Sequence, residues 1–183
     1  MFTRYAALKD LPTILDGLLL PGETLLIDSH TKAMAPILNH LVKKYASRHE
    51  SIYILFRQVF DILPIKPSYA YNYGDWIIVR RVFRDEDLIK AIQLIRDEDM
   101  NYRLFILLNP FRYVDEKPPP YSTSIADNIV MEINRALPLS IPTLIYNEHE
   151  PSDGRMCRKM RLIRCDTYIE ITSHGRIYLS RYL

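Results

Sequence analysis

Residues 19–38 have the sequence LLPGETLLIDSHTKAMAPIL, and this stretch decides the fold. The apolar run at 24–27 follows a Pro-Gly-Glu turn and predicts a buried strand. From Met34 to Tyr45 apolar residues recur at helical spacing, which predicts a helix after a short loop. A buried strand that leads through a loop into a helix is the basic unit of a parallel sheet covered on both faces, so the stretch indicates an α/β fold.

The rest of the chain repeats this alternation. Residues 85–95 predict a helix with an acidic first turn, and 125–137 predict another, capped by Ser122 or Ser124. The Pro/Tyr-rich segment 61–73 predicts an irregular crossover, and 167–172 with 176–180 predict a C-terminal antiparallel hairpin. We therefore expect a three-layer α/β fold with a mostly parallel central sheet. Its further strands are predicted at 51–56, 76–79, 104–108 and 143–146.

Length and composition exclude several classes of protein. A chain of 183 residues with 48% hydrophobic and 25% charged residues predicts one folded domain, 1–183, of ordinary globular composition. The net charge of +2 does not by itself imply a nucleic-acid partner. Cys157 and Cys165 lack the spacing of a zinc site and are expected to be free thiols in a cytoplasmic protein. No apolar run is long enough to span a bilayer, so we expect no membrane partner.

Histidines and serines suggest little catalytic chemistry. The five histidines form no HExxH or HxxxH pattern, and no serine lies on a GxSxG turn. Residues 147–150, NEHE, allow a metal site, but solvated loop residues are the expected interpretation. We therefore predict no metal and no nucleophilic catalysis.

In the order and spacing of these elements, the chain resembles the RecA/RadA-like ATPase core. The segment 14–28, ILDGLLLPGETLLID, is similar to the family's entry into the strand before its phosphate-binding loop. The alternative is an unrelated doubly wound protein with the same local turn. Aligned with the loop pattern GxxxxGK[ST], residues 28–35 differ at every specified position. Asp28 and Ala33 replace the glycines, Met34 replaces the lysine and Ala35 replaces the hydroxyl residue.

The other landmarks of the resemblance are also altered. Asn109 stands where the Walker B aspartate would hold magnesium, and Phe56-Arg57-Gln58 stands where the family has a catalytic glutamate. Asn147 matches the polar residue that senses the nucleotide in the family. The resemblance thus implies a degenerate paralog without ATPase activity or cofactor, in which Asp28 places negative charge at the loop entrance.

A basic segment follows the predicted strand at 143–146, where the resemblance implies a DNA-binding loop. Its positive side chains can neutralise phosphates, and an earlier loop can add a charge and a stacking ring. A solvated strand edge protected by charge is the alternative. The predicted nucleic-acid-binding residues are Arg112, Tyr113, Arg155, Arg158, Lys159 and Arg161, with Arg164 beside them.

Two functions follow from the resemblance. The first is a pseudo-ATPase that acts in DNA recombination or repair by binding single- or double-stranded DNA, a RadA-type recombinase, or both. The alternative is an assembly subunit of a RecA-like ring complex of the Elongator type, with RNA contact possible. Either predicts a homo- or hetero-oligomer, for which the aromatic segment 64–73 offers contacts.

Overall fold

One mixed sheet organises the molecule. The computed structural model describes residues 4–57, 64–97, 101–112, 114, 120–149 and 159–182. These residues form a sheet of eight strands. In chain order the strands are β1 (Arg4–Ala7), β2 (Thr24–Ser29), β3 (Ile52–Arg57), β4 (Ile77–Val82), β5 (Leu104–Leu108), β6 (Thr143–Glu148), β7 (Thr167–Ile171) and β8 (Arg176–Arg181).

The strand order across the sheet is β1-β8-β7-β2-β6-β5-β3-β4. The pairs from β7 to β4 are all parallel, and β2 lies between β6 and β7. β8 is antiparallel to both β7 and β1. The predicted mostly parallel sheet with a C-terminal antiparallel hairpin is therefore confirmed.

Helices cover the two faces of the sheet. They are α1 (Leu11–Leu18), α2 (Met34–Ala46), α3 (Pro67–Tyr73), α4 (Asp85–Asp97) and α5 (Tyr121–Ala136). Residues of α1, α2 and α3 pack in one apolar cluster with Leu25 and Ile27 of β2. Residues of α4 and α5 pack in a second cluster with Leu26. Because successive strand residues point to opposite faces, β2 contributes to both layers.

Two local predictions were wrong, and two elements were missed. The segment between β3 and β4 contains α3 and is not wholly irregular, since Pro67 begins that helix where its missing N–H is tolerated. Ser122 and Ser124 do not cap α5, because the helix begins at Tyr121 with Pro120 as the preceding residue. The short strand β1 and helix α1 were not predicted.

No helix in the described part of the chain combines the length and apolar character needed to cross a membrane.

Candidate functional site

The carboxyl end of β2 is where the phosphate-binding loop was aligned. β2 continues beyond Ile27, so that Asp28 pairs in register with Asn147 of β6 and Glu170 of β7. The next backbone N–H, that of His30, donates to the carbonyl of Ile171 at 2.7 Å. The first two positions of the aligned loop therefore belong to the sheet, and the connection to α2 comprises residues 30–33.

This connection is folded onto itself. The Ser29 hydroxyl donates to the Thr31 carbonyl at 2.7 Å and accepts from the Thr31 N–H at 3.3 Å. The Tyr146 hydroxyl, from the adjacent strand, contacts the Ser29 side chain and the Ala33 backbone, and it donates to Glu148 at 2.8 Å. Burial, and then the charge of Glu148, raise the pKa of Tyr146 and keep its hydroxyl protonated. Ala33 is fully buried, so protein atoms fill the space around it, while His30 and Thr31 are half-buried and Lys32 is exposed.

Asp28 forms a buried pair with His149, which follows β6. Both side chains are only 1% exposed, and Nε2 of His149 contacts Oδ1 of Asp28. The Tyr168 hydroxyl donates to the other oxygen of Asp28 at 2.9 Å. The His30 ring stacks on His149 with 5.4 Å between ring centroids. Asp28 therefore does not place an exposed charge at the loop entrance, so that prediction is wrong. The prediction that His149 and Asn147 are solvated loop residues is also wrong, because both are buried and Asn147 lies within β6.

Tyr168 connects this buried pair to the surface. Burial, and then the charge of Asp28, raise the pKa of Tyr168, while a hydrogen bond with Arg161 opposes that shift. The same contact with Tyr168 is the main reason that the pKa of Arg161 is raised. A continuous chain of polar contacts thus runs from His149 to Arg161. Among the described residues, no group of three or more His, Cys, Asp and Glu side chains is arranged to hold a metal ion.

Asn109 directly follows β5 and has a left-handed backbone conformation, with φ of 51°. Asparagine adopts this conformation more readily than most residues, because its short side chain can hydrogen-bond locally. Its N–H donates to the Tyr146 carbonyl at 2.7 Å, and its side-chain oxygen accepts from the Glu148 N–H at 2.9 Å. Asn147 similarly accepts from the Phe111 N–H at 3.4 Å. Both asparagines therefore hold the ends of β5 and β6 together.

A buried ion pair lies at the end of β3. Arg57 is 2% exposed and pairs with Asp85, the first residue of α4. It also donates to the carbonyl of Pro110 at 2.8 Å. The helix dipole alone is enough to predict an acidic residue at Asp85, and that prediction did not include Arg57 as its partner. An arginine at the end of an apolar strand, followed later by an acidic helix start, is the sequence pattern from which this ion pair could have been predicted.

The structure places the predicted nucleic-acid-binding residues in three settings. Lys159 contacts Asp127 of α5, and Arg161 lies 3.4 Å from Glu170 of β7. The backbone of Arg112 donates to the Asn109 carbonyl at 3.1 Å, just after β5. The two cations with carboxylate partners are thus partly neutralised within the molecule. Tyr113, Arg155 and Arg158 lie outside the described residues.

The strand order, the helices on both faces and the strand-loop-helix unit at β2 define the class of fold, which is RecA-like. The crystal structure of the RadB recombinase matches with a TM-score of 0.64 at 14% identity, over 96% of this chain and 88% of that chain. A KaiC-like protein from the hyperthermophilic archaeon Pyrococcus horikoshii OT3 matches with a TM-score of 0.56 at 12% identity, over 86% and 76%. No protein-family model and no curated protein matches the sequence.

Proposed function

We propose that this chain is a non-catalytic RecA/RadA-like protein, a pseudo-ATPase that acts by binding DNA, an active recombinase or both in recombination or repair. The observation that carries the proposal is the connection between β2 and α2, which is folded onto itself. A phosphate-binding loop needs free backbone N–H groups, a lysine and a hydroxyl residue that binds magnesium.

Two of the backbone N–H groups are already used within the protein, and the lysine and the hydroxyl residue are absent at the aligned positions. The N–H groups of His30 and Thr31 donate to Ile171 and to the Ser29 hydroxyl. Met34 and Ala35 supply neither charge nor a metal ligand. Asp28 is 1% exposed and is held by His149 and Tyr168, so it offers no group that could bind a phosphate at the strand end. These contacts support a loss of nucleotide binding that keeps the fold.

We expect no specific binding or hydrolysis of ATP. Isothermal titration of the protein with Mg·ATP should give only the heat of dilution, because the groups that hold phosphate and magnesium are replaced together. Met34→Lys should not restore binding, since the restored ammonium would face a loop that is folded onto itself. Magnesium-dependent binding with micromolar affinity would contradict the proposal.

The proposed nucleic-acid contact is the basic loop after β6. Lys159 and Arg161 have carboxylate partners, so Arg155 and Arg158 are the better candidates for phosphate contacts. Contacts of this kind neutralise phosphates without reading bases, which makes affinity tolerant of sequence and strongly dependent on salt. The structural similarity to RadB, a recombinase by its name, agrees with this context.

The contact is tested by the slope of log affinity against log salt concentration, measured by fluorescence anisotropy with labelled oligonucleotides. Arg155→Gln combined with Arg158→Gln should reduce the slope by about 2, one unit for each lost phosphate contact. Lys159→Gln is the matched control and should change the slope by less, because Asp127 already balances that charge. An unchanged slope in the double variant would place the contacts elsewhere.

The alternative function, an assembly subunit of a RecA-like ring, is favoured by one observation. β4 is the last strand of the described sheet, and its Ile78 and Val79 are 41% and 43% exposed. Tyr71 of the adjoining helix α3 is 91% exposed. An open strand edge with exposed apolar side chains can pair with a strand from another subunit. We propose a second RecA-like subunit as the partner for this edge.

A further inference from the structure

A pocket of about 260 Å³ lies beside β7, and two of its lining residues, Arg161 and Tyr168, belong to the chain of polar contacts that reaches Asp28. One wall is the segment 161–165, and the other is formed by Tyr168 and Tyr182 of the C-terminal hairpin. Ligand pockets commonly measure about 300–1,000 Å³, so this one suits a single small planar group.

The walls of the pocket are aromatic and cationic. Tyr182 and Leu162 are 52% and 56% exposed, so the mouth carries an open ring and an aliphatic side chain. Arg161 and Arg164 supply guanidinium groups, and no carboxylate is among the lining residues. Glu170 lies against Arg161, whereas no described carboxylate pairs with Arg164. The pocket therefore combines surfaces for stacking with one uncompensated positive charge.

Hydrogen bonds hold the pocket in shape without a ligand. The Asn134 side chain of α5 donates to the Leu162 carbonyl at 3.0 Å and accepts from the Arg164 N–H at 2.7 Å. On the other wall, the Tyr182 N–H donates to the Asp166 carbonyl at 2.8 Å. A preformed site loses less conformational entropy on binding than one that must be ordered.

Cys165 contributes a neutral surface to the pocket. Burial, and then the charge of Asp166, raise the pKa of its thiol to about 12. At neutral pH the sulfur is therefore protonated, and it does not offset the positive charge of the arginines.

We propose that this pocket receives one unpaired base of a single-stranded nucleic acid, stacked on Tyr182, while the adjoining phosphate contacts Arg164. The inference rests on the proposed function, since it requires nucleic-acid binding. It adds a preference for single strands over duplexes. Aromatic rings stack on any base, and arginine neutralises phosphate without needing a sequence. A base within a duplex is already stacked and paired, so it must be extruded before it can enter. Single strands should consequently bind more tightly than duplexes.

Fluorescence anisotropy with labelled oligothymidine and with a duplex of equal length tests this preference for single strands. Tyr182→Ala should weaken binding of oligothymidine about tenfold and leave duplex binding unchanged, because only the unpaired base stacks on the ring. Tyr182→Phe should bind like the parent, since it keeps the ring and removes only the hydroxyl. Tyr121→Ala is the matched control for loss of an exposed tyrosine, since Tyr121 is 70% exposed and does not line the pocket.

The outcomes separate this inference from the proposed function. If the parent binds no oligonucleotide at low salt, nucleic-acid binding itself fails, and the inference fails with it. If the parent binds but does not prefer single strands, or if Tyr182→Ala affects both forms equally, only the inference is overturned. Displacement by thymidine monophosphate at an equal nucleotide concentration would show a mononucleotide site, and displacement by polyglutamate would show an acidic-peptide site. Either result would also overturn it.

Discussion

Two His–Asp pairs, one buried and one exposed, show how burial changes the contribution of the same residue types to stability. His149 and Asp28 are each 1% exposed, whereas His40 and Asp16 lie on the surface, where Lys44 also contacts Asp16. Around Asp16, slight burial raises the pKa, but the hydrogen bonds of Lys44 and His40 outweigh it and lower the pKa overall. Exposed pairs contribute little to stability, while loss of one partner from a buried pair leaves an uncompensated charge.

We expect His149→Gln to lower the free energy of unfolding by about 3 kcal/mol, the lower end of the range for a broken buried pair, because Tyr168 still donates to Asp28. His40→Gln should lower it by less than about 1 kcal/mol. Urea unfolding followed by circular dichroism measures both. Equal losses in the two variants would mean that the buried pair contributes no more than the surface pair.

The sequence could identify where this site differs from a phosphate-binding loop, but not what the residues at those positions contact. The differences at Asp28, Ala33 and Asn109 are visible in a local motif. The partners of Asp28 are His149 and Tyr168, which lie far along the chain and meet it only through the register of β2 with β6 and β7. Register depends on the packing of the whole sheet, so no local pattern contains it.

At the scale of elements, long periodic segments were predicted well and short ones were missed. α2, α4 and α5 each carry an apolar stripe over several turns, and the buried parallel strands are continuous apolar runs. β1 has the sequence RYAA, too short for a pattern, and it becomes a strand because β8 offers it a free edge. α3 is seven residues of Pro, Tyr, Ser, Ala and Asn with no fully buried side chain, and only Tyr69 and Tyr73 pack against the apolar cluster, so its sequence carries only a weak helical pattern.

For the whole molecule, the exposed edge at β4 bears on assembly. Oligomerisation through this edge would cover Ile78 and Val79 and would pair the open backbone groups of the strand. Arg80 and Arg81 are also exposed on β4, and charged residues of this kind discourage indiscriminate pairing. The edge therefore fits a specific partner better than general aggregation.

We expect the protein to sediment as an oligomer at high concentration and Val79→Lys to shift it towards the monomer, because the lysine places a charge in the proposed strand pair. Met131→Lys is the matched control, since Met131 is 41% exposed on α5, which connects β5 to β6, and neither of these strands neighbours β4. Analytical ultracentrifugation measures both variants. A parent protein that remains monomeric at high concentration and captures no recombinase in a pull-down would contradict assembly.

The position of β2 between β6 and β7 also determines when the sheet can be completed during synthesis. β3 pairs with both β4 and β5, and these three strands are made in succession, so that this part of the sheet can assemble early. In the sheet that the described residues form, the partners of β2 are synthesised over half the chain length later. The nascent chain must therefore carry an apolar strand without these partners until β6 and β7 have been translated. Such late, non-local pairing slows folding and extends the time in which a chaperone can bind.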